Sequence, residues 1–239
     1  MIGDALRIEI ETFAKECRSH RLFRMAEDGL VNVSCVRDYL TNIHYLISHT
    51  PICLRRARDN AAALHREPLA RHFAHKLEEE DGHDEWAESD LESLTQTAEM
   101  PAVTANVTPG MRALVEFILE TIDTDPDLYL AYILFAEHFT VVMGPEWIKL
   151  LDERCGIPSS SLSVVANHAE LDKEHVEEAL GCIDDLVGDP RKLPRLRETL
   201  LTSMELFGRF CSDIATLHEK DVRDGSQPNQ KAALHTSAA

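Results

Sequence analysis

The segment YLAYILFAEHFTVV, residues 129–142, decides the fold class of this chain. The residues around Glu137 are apolar, a composition typical of a helix buried in a protein core. A buried glutamate must be paired, protonated or bound to a cation, because an unpaired buried charge is costly. The segment therefore predicts a helical core that has an acidic group inside it.

Helical periodicity continues along the rest of the chain, and we find no alternating strand pattern with hairpin turns. We predict one all-α domain over residues 1–220, a bundle of seven or eight helices. The polar, small-residue-rich segment 221–239 is predicted to be a disordered tail, and residues 98–107 to be a loop. The predicted helices span about Asp4–Ser19, Leu22–Glu27, Val36–Ala63, Glu67–Thr95, Pro109–Asp123, Pro126–Cys155, Ser161–Leu186 and Pro194–Glu219.

Several residues mark the ends or irregularities of these helices. Ser34 is a candidate N-cap of the predicted helix Val36–Ala63. Pro51 lies inside this helix and is expected to kink it. Gly144-Pro145 is expected to interrupt the helix that begins at residue 126. Gly82 lies inside a predicted helix, where a glycine costs about 1 kcal/mol relative to alanine, so we expect a partner backbone or a ligand to approach it closely.

Charge and composition restrict the class of protein. The 239 residues carry 24 Lys+Arg against 42 Asp+Glu, a formal charge of -18, which argues against nucleic acid or an anionic membrane as the main partner. No apolar run reaches the roughly 18 residues of a membrane span, and the first twenty residues lack a signal-peptide pattern. Six scattered cysteines without a CxxC motif indicate reduced thiols. We therefore expect a cytoplasmic protein.

The run HAELDKEH provides the strongest chemical signal. His168, Asp172 and His175 stand at positions 0, +4 and +7, within about 60° of one another on a helix, as a set of metal ligands requires. The alternative is a solvated polar face, because the same helix is rich in other charged residues.

A second signal lies in HKLEEEDGHDEW. His83 shares a helix face with Glu80 at i, i+3 and with Glu79 at i, i+4, so either glutamate could act with it. An acidic surface helix is the alternative here. Together with Glu137 and the HAELDKEH run, the pattern gives two carboxylate-x-x-His pairs and a single glutamate, as in di-iron carboxylate proteins. Such imidazole and carboxylate donors suit iron or manganese.

The chain resembles a known family in LEEEDGHDEWAESDLESL, in YILFAEH followed by GPEW, and in HAELDKEH. These motifs resemble the iron-containing redox enzymes of the haem-oxygenase-like fold, also called haem-oxygenase-like di-metal oxidases, over about Ile8–Phe210. The resemblance implies a helical bundle with an O2-activating centre of two Fe(II) ions. The positions that match the family's metal ligands, and so carry its catalysis, are Glu80, His83, Glu137, His168, Asp172 and His175.

Two departures from the family pattern stand out. Members often draw a further glutamate from the helix that is here VRDYLTNIHYLISHTP, which offers only His44 or His49 in its central part. Lys76 stands where some members have a carboxylate, and it could pair with Glu80 at i, i+4. One of the two ion sites is therefore expected to be atypical or labile.

The resemblance implies an oxidase or oxygenase that acts with O2 on a small molecule, such as an amino acid or another amine or carboxylate, in a biosynthetic reaction. An external electron donor is possible, because no dinucleotide-binding motif is present. A homodimer is expected from base rates. The candidate carboxylate clamps are Arg55, Arg56 and Arg209, and the candidate pocket walls are Tyr45, Tyr132, Phe139 and Phe207.

Three alternatives belong to the same fold group. The main one is a metal-free oxidase or ligand-binding protein similar to pyrroloquinoline-quinone synthase, with histidines that shuttle protons. A haem oxygenase would need an axial histidine, for which His20 is a candidate, although a helix boundary explains that residue better. A thiaminase II would need a nucleophilic cysteine where Ala131 stands.

Overall fold

A computed structural model describes residues 1–96 and 107–223 of the chain. The regular structure of these residues is helical, which confirms the all-α prediction. The predicted loop at 98–107, apart from residue 107, and the predicted tail, apart from 221–223, lie outside the described residues. The helices are α1 (Ile2–Cys17), α2 (Arg21–Glu27), α3 (Val33–Ala63), α4 (Glu67–Glu79), α5 (Asp84–Gln96), α6 (Pro109–Thr124), α7 (Tyr129–Cys155), α8 (Ser163–Cys182) and α9 (Leu193–Arg223).

The apolar helix α7 lies at the centre of the bundle. It packs against α8 on one side and against α1, α2 and α9 on others, and Leu130 and Leu134 are fully buried. With the turn before it, Pro126–Cys155, α7 is the one described helix that is long and apolar enough to cross a membrane. Of its most apolar window, 61% is buried inside the protein, as the core helix of a bundle would also be.

Helix α7 runs without interruption through Gly144-Pro145, so the predicted break is wrong. The glycine has a packing role: a Cβ at Gly144 would lie 3.2 Å from Cγ1 of Val165 and 3.3 Å from Cβ of Ala169. Gly144 thus allows α8 to approach α7 closely. This approach brings the polar stripe of α8 beside Glu137.

Helix α3 likewise continues through Pro51. Its N-cap is Asn32, whose side-chain oxygen accepts a hydrogen bond from the backbone N–H of Cys35 at 2.9 Å, and not Ser34 as predicted. Thr108 caps α6, because its hydroxyl accepts a hydrogen bond from the N–H of Met111 at 3.3 Å.

The helix predicted over residues 67–95 is divided into α4 and α5. Residues between the two helices form a turn, in which Gly82 has a φ of +82°. Apart from its two chain neighbours, no described residue has an atom within 4 Å of the position that a Cβ at Gly82 would take, so the expected close approach of a partner backbone is wrong. The glycine is present because L-residues with a side chain rarely adopt this backbone conformation.

Replacement of Gly82 should therefore destabilise the protein through backbone strain alone. We expect Gly82→Ala to lower the free energy of unfolding by about 1–2 kcal/mol. Gly181→Ala is the matched control, because Gly181 lies within α8 and a Cβ there also meets no atom within 4 Å. The control should be neutral or stabilising by up to about 1 kcal/mol. Urea unfolding of both variants measures the difference, and equal effects would contradict the assignment.

Candidate metal centre

The structure brings the six predicted ligands together in two groups of three. Within each group, one potential ligand atom from each residue lies within 4.8 Å of the others. The first triad contains Glu80, His83 and His168, and the second triad contains Glu137, Asp172 and His175. Three parts of the fold supply these residues: the turn between α4 and α5, the middle of α7, and one face of α8.

In the first triad, the imidazole nitrogens are oriented by hydrogen bonds. Nδ1 of His168 donates to the backbone oxygen of Val164 at 2.7 Å, which leaves Nε2 with a free lone pair for a ligand. Nδ1 of His83 lies 3.1 Å from Oε2 of Glu80. Burial acts to raise the pKa of Glu80, but the hydrogen bond with His83 and the charges of His168, His83 and Lys76 together outweigh it, and the net pKa is lowered. The Glu80 carboxylate is therefore held in its charged form.

Trp86 orders both histidines of the first triad, and sequence reasoning missed it. Its ring stacks on His83 with a centroid distance of 4.2 Å and meets His168 edge to face at 5.4 Å. The two imidazoles themselves are perpendicular, at 5.1 Å. An indole that covers one face of a ligand histidine restricts its rotation. The only sequence signal was the spacing of Trp86, three residues after His83.

The second triad lies deeper: Glu137 and Asp172 are buried, and only 12% of the His175 side chain is exposed. Nδ1 of His175 lies 3.2 Å from Oδ1 of Asp172 and 3.9 Å from Oε1 of Glu137. Burial raises the pKa of Asp172, and it raises the pKa of Glu137 to about 7. The hydrogen bond to Asp172 raises the pKa of His175. Acid and imidazole thus share protons here, and a divalent cation would compete with those protons.

Lys76 belongs to the second triad and not, as expected, to an ion pair with Glu80. Its Nζ lies 2.7 Å from Oε1 of Glu137 and 3.7 Å from Oε2 of Glu79. Burial acts to lower the pKa of Lys76, but the charge and hydrogen bond of Glu137, together with the charges of Glu80 and Glu79, outweigh it and the net pKa is raised. Glu79 also lies 3.8 Å from His175, so Glu79 faces the second triad whereas Glu80 belongs to the first.

The donor set fits divalent iron or manganese. Each triad offers carboxylate oxygen and imidazole nitrogen, and Asp172 of the second triad interacts electrostatically with His168 and Glu80 of the first. Oε2 of Glu137 is buried and has no hydrogen-bond partner among the described residues, so an acceptor oxygen remains available there. The residues that would hold two ions are therefore in place.

Asp90 fixes the position of α8, and no pattern in the sequence indicated this role. Its Oδ1 accepts hydrogen bonds from the N–H of Ser163 at 3.0 Å and from the Ser163 hydroxyl at 2.7 Å. Its Oδ2 accepts from the N–H of Val164 at 2.9 Å. Asp90 in α5 thus caps the first turn of α8 from outside the helix. This contact connects the helix after His83 to the helix that carries the other ligands.

The remaining candidate histidines lie elsewhere. His44 is 3.3 Å from Glu88, and Nδ1 of His49 donates to the backbone oxygen of Tyr45. His20 caps α2 by accepting from the N–H of Leu22 at 3.2 Å, which explains it as a helix-boundary residue. His44 and His49 are absent from both triads, so the glutamate missing from α3 has no replacement among these two.

One cavity of about 430 Å³ reaches both triads. Glu80 and His168 of the first triad and Glu137 and Asp172 of the second line it, together with Lys76. Most of its wall is apolar, and it includes three of the predicted wall residues. These residues are Tyr132, Phe139 and Phe207.

The predicted carboxylate clamps do not line this cavity. Arg55, Arg56 and Arg209 are exposed, and Arg56 pairs with Asp123. In the parts of the chain that the structure describes, no arginine lies in the cavity wall. Tyr45 is also outside the wall and packs against His49 instead.

The described chain is a helical bundle in which two acid–imidazole triads meet one cavity. Solved structures share this bundle. A domain of unknown function with a heme oxygenase-like fold from Shewanella denitrificans OS217 has a TM-score of 0.79 at 17% identity, over 96% of this chain and 97% of that one. A CADD-like protein of unknown function from Nostoc punctiforme PCC 73102 has a TM-score of 0.66 at 12% identity, over 89% and 98%.

A TenA homolog from Pseudomonas syringae pv. tomato DC3000 has a TM-score of 0.65 at 16% identity, over 89% of this chain and 92% of its own. No family model and no curated protein matches the sequence. Similarity at these identities shows the fold alone. The chain therefore has an all-α, haem-oxygenase-like fold, as its motifs predicted.

Loss of the Asp90 cap should loosen α8. We expect Asp90→Ala to lower the free energy of unfolding by about 2 kcal/mol, because three donors at the start of α8 lose their acceptor. Glu92→Ala, at an exposed position of the same helix, is the control and should change stability by less than about 0.5 kcal/mol. Chemical unfolding measures both values, and a neutral Asp90→Ala would contradict the role of the cap.

Proposed function

We propose that this protein is an O2-dependent, non-haem di-iron oxidoreductase that oxidises a small molecule. The observation that supports this proposal is that members of both triads line the same cavity. The residues of each triad would hold one ion at this cavity, where the substrate would also bind. When bound, such ions supply the electrons that reduce O2, and an external donor would restore them.

The chain's own residues would have distinct roles. Glu80 would neutralise the ion of the first triad, and Glu137 and Asp172 would neutralise that of the second. The imidazoles would fix the positions of the ions, since their orientation is set by the contacts with Val164 and Trp86. The apolar wall would exclude water, which strengthens every electrostatic interaction at the centre.

The lining of the cavity favours a substrate that has an apolar body and one polar end, such as an amine or a carboxylate. The polar residues of the centre form one part of the wall, whereas aromatic and aliphatic residues such as Tyr132, Phe139 and Met143 form most of the rest. A free amino acid with a small side chain would leave this apolar surface without a partner. An aliphatic or aromatic body would bury it.

A metal-free oxidase or ligand-binding protein is the second candidate function. The contact between Lys76 and Glu137 favours it, because it compensates a buried carboxylate without a metal ion. The two candidates differ in one measurable property, the amount of metal that the purified chain binds.

Removal of one ligand should abolish tight metal binding. We expect anaerobically loaded protein to retain at least one Fe(II) per chain, and His83→Ala to weaken that ion by more than about 100-fold, since even groups that only orient a ligand cost about 10–100-fold. His75→Ala, at a mostly exposed histidine of α4, is the control and should bind metal normally. Metal content after gel filtration measures this. A wild-type protein without metal would support the second candidate.

Substrate affinity should increase with the length of the apolar body. Each buried methylene contributes about 0.8 kcal/mol, so a series of n-alkyl carboxylates and amines should bind about fourfold more tightly per added carbon until the cavity is filled. Isothermal titration of the metal-loaded protein measures the series, with glycine and alanine as matched ligands that lack the apolar body. A flat series would contradict the assignment of the substrate class.

A further inference from the structure

A buried lysine lies inside the candidate centre. Only 2% of the Lys76 side chain is exposed, and its Nζ lies 2.7 Å from Oε1 of Glu137, a residue that both the cavity and the second triad share. A buried ammonium requires a compensating charge, because its desolvation is costly. The Lys76 ammonium thus supplies a positive charge at the second triad.

The first triad has no such cation. Within residues 1–96 and 107–223, the ion-pair partner of Glu80 is His83, and neither a lysine nor an arginine pairs with this carboxylate. The two triads have similar ligand types but a different electrostatic surrounding. The Lys76 ammonium acts on Glu80 only at longer range, whereas a divalent ion at the second triad would meet this ammonium in direct contact with Glu137.

We propose that Lys76 is the resident counter-cation of the second triad, so that the two triads bind divalent metal with unequal affinity. The first triad binds its ion tightly. The second triad binds an ion only when the Lys76 ammonium leaves Glu137, because two cations on one carboxylate repel each other in a partly buried site. This inference rests on the proposed function, since it takes both triads to be ion sites.

The structure offers a second position for the displaced ammonium. Oε2 of Glu79 lies 3.7 Å from Nζ of Lys76, is buried and has no hydrogen-bond partner in the described part of the chain. Rotation of the flexible lysine side chain toward Glu79 would keep the ammonium paired while it releases Oε1 of Glu137. Entry of the second ion and movement of Lys76 are then one coupled event.

Anaerobic equilibrium dialysis of the full chain with Fe(II), repeated with Co(II), tests this inference. We expect two classes of site in the wild-type protein, with dissociation constants that differ by about tenfold or more. Lys76→Met should lower the weaker constant by about tenfold or more and leave the tighter one unchanged. Lys149→Met, at an exposed lysine of α7, is the control and should leave both classes as in the wild type.

Ligand variants assign the classes to the triads. His175→Ala should remove the weak class alone, and His83→Ala the tight class alone. Lys76→Met should also lower the melting temperature of the metal-free protein, and added divalent metal should restore it, a rescue that a merely structural lysine would not show. If Lys76→Met does not fold, Lys76→Gln replaces it, and the wild-type titration together with His175→Ala still decides the matter.

The outcomes separate this inference from the function on which it rests. Two ions of equal affinity in the wild type, an unchanged weak class in Lys76→Met, or loss of the tight class in His175→Ala would overturn the role of Lys76 and leave the di-iron proposal intact. Absence of bound metal in both the wild type and Lys76→Met would overturn the proposed function itself.

Discussion

A carboxylate inside an apolar helix constrains the rest of this structure. Glu137 is 6% exposed and lies in the most apolar helix of the described chain. Burial of that charge is tolerable only if cationic or hydrogen-bonding groups surround it. Lys76 comes from α4, which packs on α3, and His175 comes from α8, which packs on α7, so side chains from two helices compensate the charge of Glu137. The same side chains therefore determine both the packing and the charge balance at the centre of the bundle.

Regular geometry made part of the site predictable. His168, Asp172 and His175 lie on one face of α8 because the spacing of an α-helix is fixed, and Glu137 was recognisable from its apolar neighbours. The pairing of Glu80 with His83 was predicted correctly, but the continuous helix on which that prediction was based does not exist. These two residues meet across a turn at Gly82 and not along a continuous helix, although three-residue spacing brings side chains together in both cases.

Contacts between distant segments could not be predicted. Lys76 has a local partner at i+4 in the sequence, yet it pairs with Glu137, 61 positions away, because the packing of α4 on the core directs its side chain inward. Asp90 caps α8 from 73 residues away and has no local signal of its own. The sequence suggested that Gly144 interrupts the helix. A glycine that permits close helix packing cannot be distinguished, from the sequence, from one that ends a helix.

The charge of the centre determines which end of a substrate it would accept. Without ions, the carboxylates of the two triads face a single ammonium, so the polar end of the cavity favours an amine and repels a carboxylate. Each bound divalent ion adds positive charge and so reduces the preference for an amine. Without such an ion, no arginine in the described wall can attract a carboxylate. A carboxylate substrate would therefore need the ions to be bound first, whereas an amine would compete with them. Under the proposed function, the absence of the clamp in the described wall and the presence of Lys76 would set the order of binding and would link substrate choice to the loading of the second triad.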